Sequence, residues 1–512
     1  MLAHLLAAQP QALALVDRDR RITFSDLDSE SRRVAQGLVD LGIGEGDRVA
    51  LWLPNVSAWL ACFFACAHVG AIAVAVNTRF RSSEIEDILS RSGAKALVMW
   101  PGFRGIDFAG ILEAVDARRP SALSVVIAYG AEAAPQTIAQ RRVVRYDDLA
   151  SADAMAQSRA RPDAGVLLFT TSGTTRAPKF VLHDQRSIAR HAFDVARAFG
   201  FDAPDAVMLL TIPLCGTFGL TTAMGALAAR RPLVMMPTFD AQAAASLIRT
   251  HRVTHFAAAG DVVAQLLAID DEPMPFPSVR LVIGARTGQA ERAAKRGLTL
   301  VGVYGMSEVQ AMVLRHYECD PPEVRERGGG LLIAPDAEVR ARDVETGRIL
   351  PHGESGELEF DMPSRMVGYF GNEEATRAVF TDDGYIRSGD LGYTVEGGFV
   401  FESRMGDALR LSGFLVNPLE IEETVNGCAG VAASQVVGLE GDRGTYAVAF
   451  VVTHEGVNLT QETIVAHCAQ RIAGYKVPKR VFFVDEFPMN PAKKVQKFKL
   501  REMAVELVEA GK

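Results

Sequence analysis

Apolar runs alternate with amphipathic stretches through roughly the first 300 residues, a pattern that predicts parallel strands covered by helices. Arg48-Val49-Ala50-Leu51-Trp52-Leu53, Ala96-Leu97-Val98-Met99 and Val125-Val126-Ile127 read as strands. Two uncharged stretches, Ala58 to Val76 and Ala206 to Ala229, are each long enough to cross a bilayer. Gly70 divides the first, and Ala71-Ile72-Ala73-Val74-Ala75-Val76 after it reads as a buried strand. Pro213, Gly216, Gly219 and Gly225 interrupt the second. Both are therefore expected to be helix-plus-strand pieces of a large α/β core. From about Gly328 the segments shorten and Gly, Pro and Asp punctuate them, as in Gly353-Glu354-Ser355-Gly356-Glu357-Leu358-Glu359-Phe360. That change predicts a β-rich subdomain. A boundary is expected near Ser403-Arg404-Met405-Gly406-Asp407, leaving about a hundred residues beyond it, enough for a small core of their own. There Gln435-Val436-Val437-Gly438 and Ala447-Val448-Ala449-Phe450-Val451-Val452 read as strands. The expected fold class is thus α/β. It comprises a large N-terminal domain of helix-covered sheets over 1–403, with a β-rich subdomain at about 328–403, and a small α+β domain over 404–512.

Composition narrows the function without naming it. The chain has 512 residues, 48% hydrophobic and 23% charged, an ordinary globular balance. Lys and Arg number 54 against 62 Asp and Glu, a net charge of −8, which argues against a nucleic-acid-coating protein. Cys62, Cys66, Cys215, Cys319, Cys428 and Cys468 show no metal-ligand spacing. Cys62 and Cys66 lie in an apolar helix-like run and read as core. Few, scattered cysteines in a long chain fit a reducing, cytoplasmic setting. The opening residues lack a basic cluster and are broken by Gln9-Pro10, which argues against a signal peptide.

The chemistry-bearing segment is Phe169-Thr170-Thr171-Ser172-Gly173-Thr174-Thr175-Arg176-Ala177-Pro178-Lys179, after the strand-like Gly165-Val166-Leu167-Leu168-Phe169. Its amides, hydroxyls and single lysine can meet a polyphosphate, although the Walker spacing is absent. A solvated Ser/Thr loop is the plainer alternative. Further segments accompany it in order. Tyr304-Gly305-Met306-Ser307-Glu308 follows the strand-like Leu298-Thr299-Leu300-Val301-Gly302-Val303, and Ser388-Gly389-Asp390-Leu391-Gly392 follows Asp383-Gly384-Tyr385-Ile386-Arg387. Arg404-Met405-Gly406-Asp407 leads to Leu411-Ser412-Gly413, and Lys493-Lys494-Val495-Gln496-Lys497-Phe498 stands near the end. From Arg21-Ile22-Thr23-Phe24 to Arg501 the chain resembles the adenylate-forming superfamily of acyl-CoA synthetases, adenylation domains and luciferases. It is most similar to the stand-alone acyl-CoA synthetases.

That resemblance implies a fold with a mobile small domain, and it implies roles. Lys494, Glu308 and Lys179 would be the catalytic residues. Thr171, Ser172, Gly173, Thr174 and Thr175 would cradle the phosphates of ATP, with Glu308 and Thr171 supporting magnesium (Mg2+). Gly284, Ala285 and Tyr304-Gly305 would surround adenine, Ser307 the α-phosphate, and Asp390 with Arg404 the ribose. Gly216, Phe218, Met306, Ala258 and Gly260 would line the acid pocket. Gly406 would be the hinge, and the Ser412-Gly413 face would admit CoA. The chain departs from the family at Arg176, Phe180, Gly406 and Lys493, where Gly, Gly, Asp or Lys, and Gly are usual, and Arg286 and Gly216 are also unusual. The Lys493, Lys494, Lys497 and Lys499 cluster also has a plain reading as a solvated basic face.

The implied reaction is ATP-dependent activation of a small-molecule carboxylic acid to acyl-AMP, then transfer to CoA. Small residues at Gly216, Ala257, Ala258 and Ala259 favour a fatty or aryl acid over a diacid. Loading of a separate carrier protein, or a degenerate nucleotide- or acyl-binding relative without turnover, are the alternatives. The expected partners are the acid and CoA, with no nucleic acid and no transmembrane segment. A homodimer is left open.

Overall fold

The computed structural model describes residues 9–115, 122–130, 135–171, 179–259, 262–269, 272–284, 290–317, 319–321, 324, 328–344, 346–404, 409–412, 414–416, 418–441, 444–489, 495, 497–509 and 511. Two large sheets organise the N-terminal part. One has nine strands in the order Gly368–Tyr369, Lys179–Asp184, Gly165–Thr171, Ile72–Ala75, Arg48–Trp52, Ala94–Met99, Val125–Ala128, Arg141–Arg145 and Thr137–Ile138. The other has seven: Leu300–Val301, Leu281–Ile283, His255–Ala257, Met208–Leu210, Leu233–Met235, Leu13–Asp17 and Arg20–Thr23. The central pairings of both are parallel, as the alternation of apolar runs requires.

Strand periodicity explains the layering. Val49 and Leu51 share one apolar cluster with Met208 and Leu210 and with the helices Phe24–Asp40, Ser57–Val69, Gln185–Ala198 and Thr217–Ala228. The alternate residues Ala50 and Trp52 face a second cluster under the helix Ser82–Ser92. Leu209 and Phe256 face a third, under the helix Ala241–His251. Helices thus fill the space between the sheets and cover both outer faces. Every residue of the helix Ser57–Val69 is buried. That placement accounts for the first uncharged stretch, and Cys62 and Cys66 lie inside it. The second stretch divides into the strand Met208–Leu210 and the helix Thr217–Ala228. Among the described residues no helix is long and apolar enough to cross a membrane.

A third sheet is antiparallel, in the order Leu314–Arg315, Gly329–Leu332, Gly398–Arg404, Ile386–Val395, Gly356–Asp361, Glu338–Arg342 and Ile349–Leu350. It begins earlier than the expected 328, because Leu314 pairs with Leu332. The strand expected over 298–303 is only Leu300–Val301, since the chain turns at once into the hairpin Gly305–Met306 with Gln310–Ala311. After Arg404 the next strand, Leu409–Leu411, pairs among the described residues with Phe414–Val416 alone. The C-terminal part adds a sheet of Val431–Leu439, Tyr446–Thr453 and Arg480–Phe483, with the helices Pro418–Asn426, Gln461–Ala469 and Lys497–Glu509.

Candidate active site

The strand Lys179–Asp184 pairs antiparallel with Gly165–Thr171, and Lys179 stands opposite Thr171. The hydroxyl-rich loop is therefore the connection of a hairpin whose two ends are fixed. Ser172, Gly173, Thr174, Thr175 and Arg176 themselves lie outside the described residues, as do Gly260, Ala285, Arg286, Gly406, Gly413, Lys493 and Lys494. Thr171 and Arg404 are placed by their backbone alone. On its other edge the same strand pairs with Gly368–Tyr369, Val181 opposite Tyr369. Phe180, in place of the usual glycine, is 2% exposed within the outer apolar cluster. It points to the face opposite Lys179 and acts as core.

This register puts the Tyr369 ring beneath Lys179, with Nζ 4.5 Å from the ring centroid. A cation over an aromatic face is held by the ring quadrupole. The Tyr369 hydroxyl donates to Glu308 Oε1 at 2.8 Å. One tyrosine thus links the two groups that the sequence singled out as lysine and acid. The Glu308 segment is itself pinned. Met366 N donates to Glu308 O at 2.7 Å, and Gln310 Nε2 donates to Ser364 O at 3.1 Å. Gln310 and Met312 adopt φ of 65° and 63°, strained values for side-chain-bearing residues that such contacts must maintain.

Two buried histidines hold the same segment from behind. His183 Nε2 meets Ser307 O at 2.7 Å, and His191 Nε2 meets Ala311 O at 2.6 Å. Burial pushes both imidazoles down to about 4, against the help of the carbonyls they bond. Both rings are therefore neutral, and each donates its Nε2 proton to a carbonyl oxygen.

The nucleoside end converges separately. Tyr304, 8% exposed, packs edge-on against Phe399 at 5.0 Å and donates its hydroxyl to Asp390 Oδ2 at 2.6 Å. Asp390 is 5% exposed and its amide donates to Ser388 Oγ at 3.0 Å. Gly389 at φ 68° makes the turn. Across the ladder Asp390 stands opposite Arg404. The carboxylate is thereby aimed by an aromatic hydroxyl and a local turn.

Gly284, expected beside adenine, also meets Phe218 and Ala258, expected beside the acid. Gly284 has φ +86°, and a Cβ there would come within 2.6 Å of the Phe218 ring and 2.9 Å of Ala258 O. Only glycine fits. Gly216 sits at the N-cap of the helix Thr217–Ala228. The preceding turn is fastened by Asn55, which donates to Ile212 O at 2.9 Å and accepts from Leu214 N at 2.8 Å. Met306 lies beside Tyr304, its sulfur 3.9 Å from the hydroxyl. Ser412, at φ 49°, forms part of the turn between Leu411 and Phe414, in the C-terminal part. Tyr369, His183 and Asn55 were not singled out from the sequence. Their roles depend on strand neighbours far away in the chain, and only the aromatic run Gly368-Tyr369-Phe370 offered any signal.

Among the described residues no cluster of three metal-ligating side chains occurs. Glu308, partly exposed with one oxygen held by Tyr369, suits a magnesium ion that takes most of its ligands from phosphate oxygens.

The sequence matches a known family along most of the chain. The AMP-binding enzyme family matches residues 2–370, and its C-terminal domain matches residues 420–494. The chain belongs to the AMP-binding enzyme family. It is 31% identical to a methyl-dioxo-octahydroindenyl-propanoyl:CoA ligase of Rhodococcus jostii, over 96% of this chain and 95% of that protein. It is 30% identical to a long-chain fatty acid–CoA ligase of Mycobacterium tuberculosis, over 98% and 97%. The o-succinylbenzoate CoA synthetase of Bacillus subtilis is 24% identical. A double mutant of it bound with a CoA product analogue superposes with a TM-score of 0.84, covering 98% of each chain. The same enzyme with AMP superposes at 0.66, covering 98% of this chain and 97% of that one.

Two outcomes follow for this family member. Tyr369→Phe keeps the ring under Lys179 but removes the donor to Glu308, a loss of about 1.5–3 kcal/mol for a hydrogen bond to a charged group. Magnesium–ATP binding, measured by calorimetry, is expected to weaken at least tenfold, and unchanged affinity would refute the link. His183 has an ordinary value of 6.5 lowered to about 4, so the unfolded chain takes up its proton first as pH falls. Its contribution to stability is complete above pH 6.5 and is lost as pH falls toward 4. The melting temperature of His183→Gln should decline less steeply than wild type across that window.

Proposed function

We propose that this enzyme activates a carboxylic acid as an acyl-adenylate and transfers the acyl group to CoA, as an AMP-forming acid–thiol ligase. The observation that carries the reading is the convergence of Lys179 and Glu308 on Tyr369. Magnesium–ATP, when bound, supplies the electrophilic α-phosphorus and pyrophosphate as leaving group. Lys179 neutralises charge on the phosphate side, and Glu308 holds its position because Tyr369 and Met366 fix its side chain and backbone. Asp390, oriented by Tyr304, accepts the ribose hydroxyls. A carboxylate oxygen of the acid then bonds to the α-phosphorus as the bond to pyrophosphate breaks. In the second step the CoA sulfur bonds to the acyl carbon and AMP leaves with its bridging oxygen. Lys494 is read as the lysine that stabilises charge in the first step.

Phe218, Ala258 and Gly216 present apolar or absent side chains, so the acid is read as fatty or aryl. The working units are read as 1–403 and 404–512, in a cytoplasmic setting. The Ser412 hairpin faces the N-terminal domain, since Phe414 beside its turn lies under Arg79 with 5.8 Å from guanidinium to ring. With the Ser412 hairpin set against the N-terminal domain, this arrangement is read as the CoA-accepting one.

The test is pyrophosphate release with ATP and magnesium across fatty, aryl and dicarboxylic acids, with and without CoA. Release should depend on a fatty or aryl acid, accelerate with CoA, and fall by roughly 10²–10³ in Glu308→Gln. Release indifferent to CoA would transfer the acceptor role to a carrier protein, and no release with any acid would defeat the proposal.

A further inference from the structure

Lys476 is a charged residue buried where the two parts of the chain meet. It is 5% exposed, and its Nζ lies 2.8 Å from Glu84 Oε1 and 2.6 Å from Glu420 Oε1. Glu420 belongs to the helix Pro418–Asn426, in the same C-terminal part as Lys476. Glu84 belongs to the helix Ser82–Ser92 of the N-terminal part. One ammonium therefore joins a carboxylate of its own domain to a carboxylate of the other.

The surroundings are built around that contact. Glu84 is oriented by Arg81 N, which donates to its second oxygen at 2.9 Å. The turn before it is fixed as Arg79 N donates to Asn77 Oδ1 at 2.9 Å and Trp52 Nε1 donates to Asn77 O at 3.1 Å. Phe80 offers its ring to Lys476 Nζ at 5.0 Å. Beside it Phe414 and Tyr475 stack at 4.7 Å, and Arg79 lies 5.8 Å from each ring. Ser83 Oγ donates to Arg471 O, and Ala473 enters the apolar cluster of the N-terminal part. Burial disfavours the Lys476 ammonium, but Glu84 and Glu420 outweigh it and hold the group charged.

Such a contact sets geometry more than it adds adhesion. Desolvating three charged groups consumes most of the attraction between them. Glu420 is in Lys476's own part of the chain and Glu84 is not, so parting the two would not by itself strand the ammonium without a partner.

We propose that Lys476 and Glu84 are positioning residues, forming an interdomain latch that registers the C-terminal domain for thioester formation and is not used in adenylate formation. The proposal rests on the reading of this arrangement as the CoA-accepting one. Its test uses the full-length enzyme with decanoate, as wild type, Glu84→Gln, Lys476→Gln and the double variant. Adenylate formation is followed without CoA by hydroxylamine trapping, and thioester formation with CoA. Each single variant should lose about tenfold in thioester formation while trapping stays within twofold of wild type, and the double variant should be no worse than the singles. Equal loss in both half-reactions, loss in neither, or multiplying effects in the double variant would overturn it. Small-angle scattering is run on the same four proteins. If wild type does not act on decanoate, decanoate is not a substrate, and scattering alone judges the latch. An expanded profile in the variants would support it, and superimposable profiles would overturn it.

Discussion

The antiparallel pairing of Lys179–Asp184 with Gly368–Tyr369 is the constraint on which the site depends. Its register places Tyr369 under Lys179, and the same tyrosine then fixes Glu308. The strand's far end sends His183 to the carbonyl of Ser307, so one element sets both faces of the 304–308 segment. A shift of one residue would turn Phe180 out of the core and Lys179 into it, because side chains alternate across a strand. The burial of Phe180 therefore guards the position of the lysine beside it. Glycine is usual there in the resembling family, and here the core supplies the constraint through a large side chain.

Polar anchoring follows the same logic elsewhere in the site. Tyr304 spends its ring on an aromatic cluster and its hydroxyl on Asp390. Asn55 uses both ends of its amide on the turn that leads to Gly216. Each is a buried polar group whose hydrogen bonds are made with chain segments distant in sequence. Such groups specify one arrangement because leaving them unsatisfied costs more than the bond returns. The result is a preorganised set of positions in which little must move when charge develops.

Much of this was legible in the sequence, for reasons that can be named. Strands such as Arg48–Trp52 and Tyr446–Thr453 declare themselves because they are apolar on both faces. The uncharged helix Ser57–Val69 was recognisable as core because Gly70 ends it, at φ +82°. The ordered motifs singled out Lys179, Glu308 and Asp390 because each stands in a short segment of distinctive composition, although Lys179 and Asp390 lie in strands and Glu308 in a turn. What was not legible is long-range pairing. Nothing local marks Tyr369 as the partner of both Lys179 and Glu308, or Lys476 as the partner of Glu84. The third sheet also began before the expected point, because Leu314–Arg315 is too short to show a period and is a strand only by pairing with Gly329–Leu332.

In the proposed reaction the acid's own oxygen attacks the α-phosphorus at this site. The direct measurement is the fate of a heavy-oxygen label carried in the carboxylate of the acid, followed by mass spectrometry through one turnover with ATP, magnesium and CoA. Attack by that oxygen leaves one labelled oxygen in AMP and none in pyrophosphate. Unlabelled AMP, or label recovered in inorganic phosphate or pyrophosphate, would contradict it.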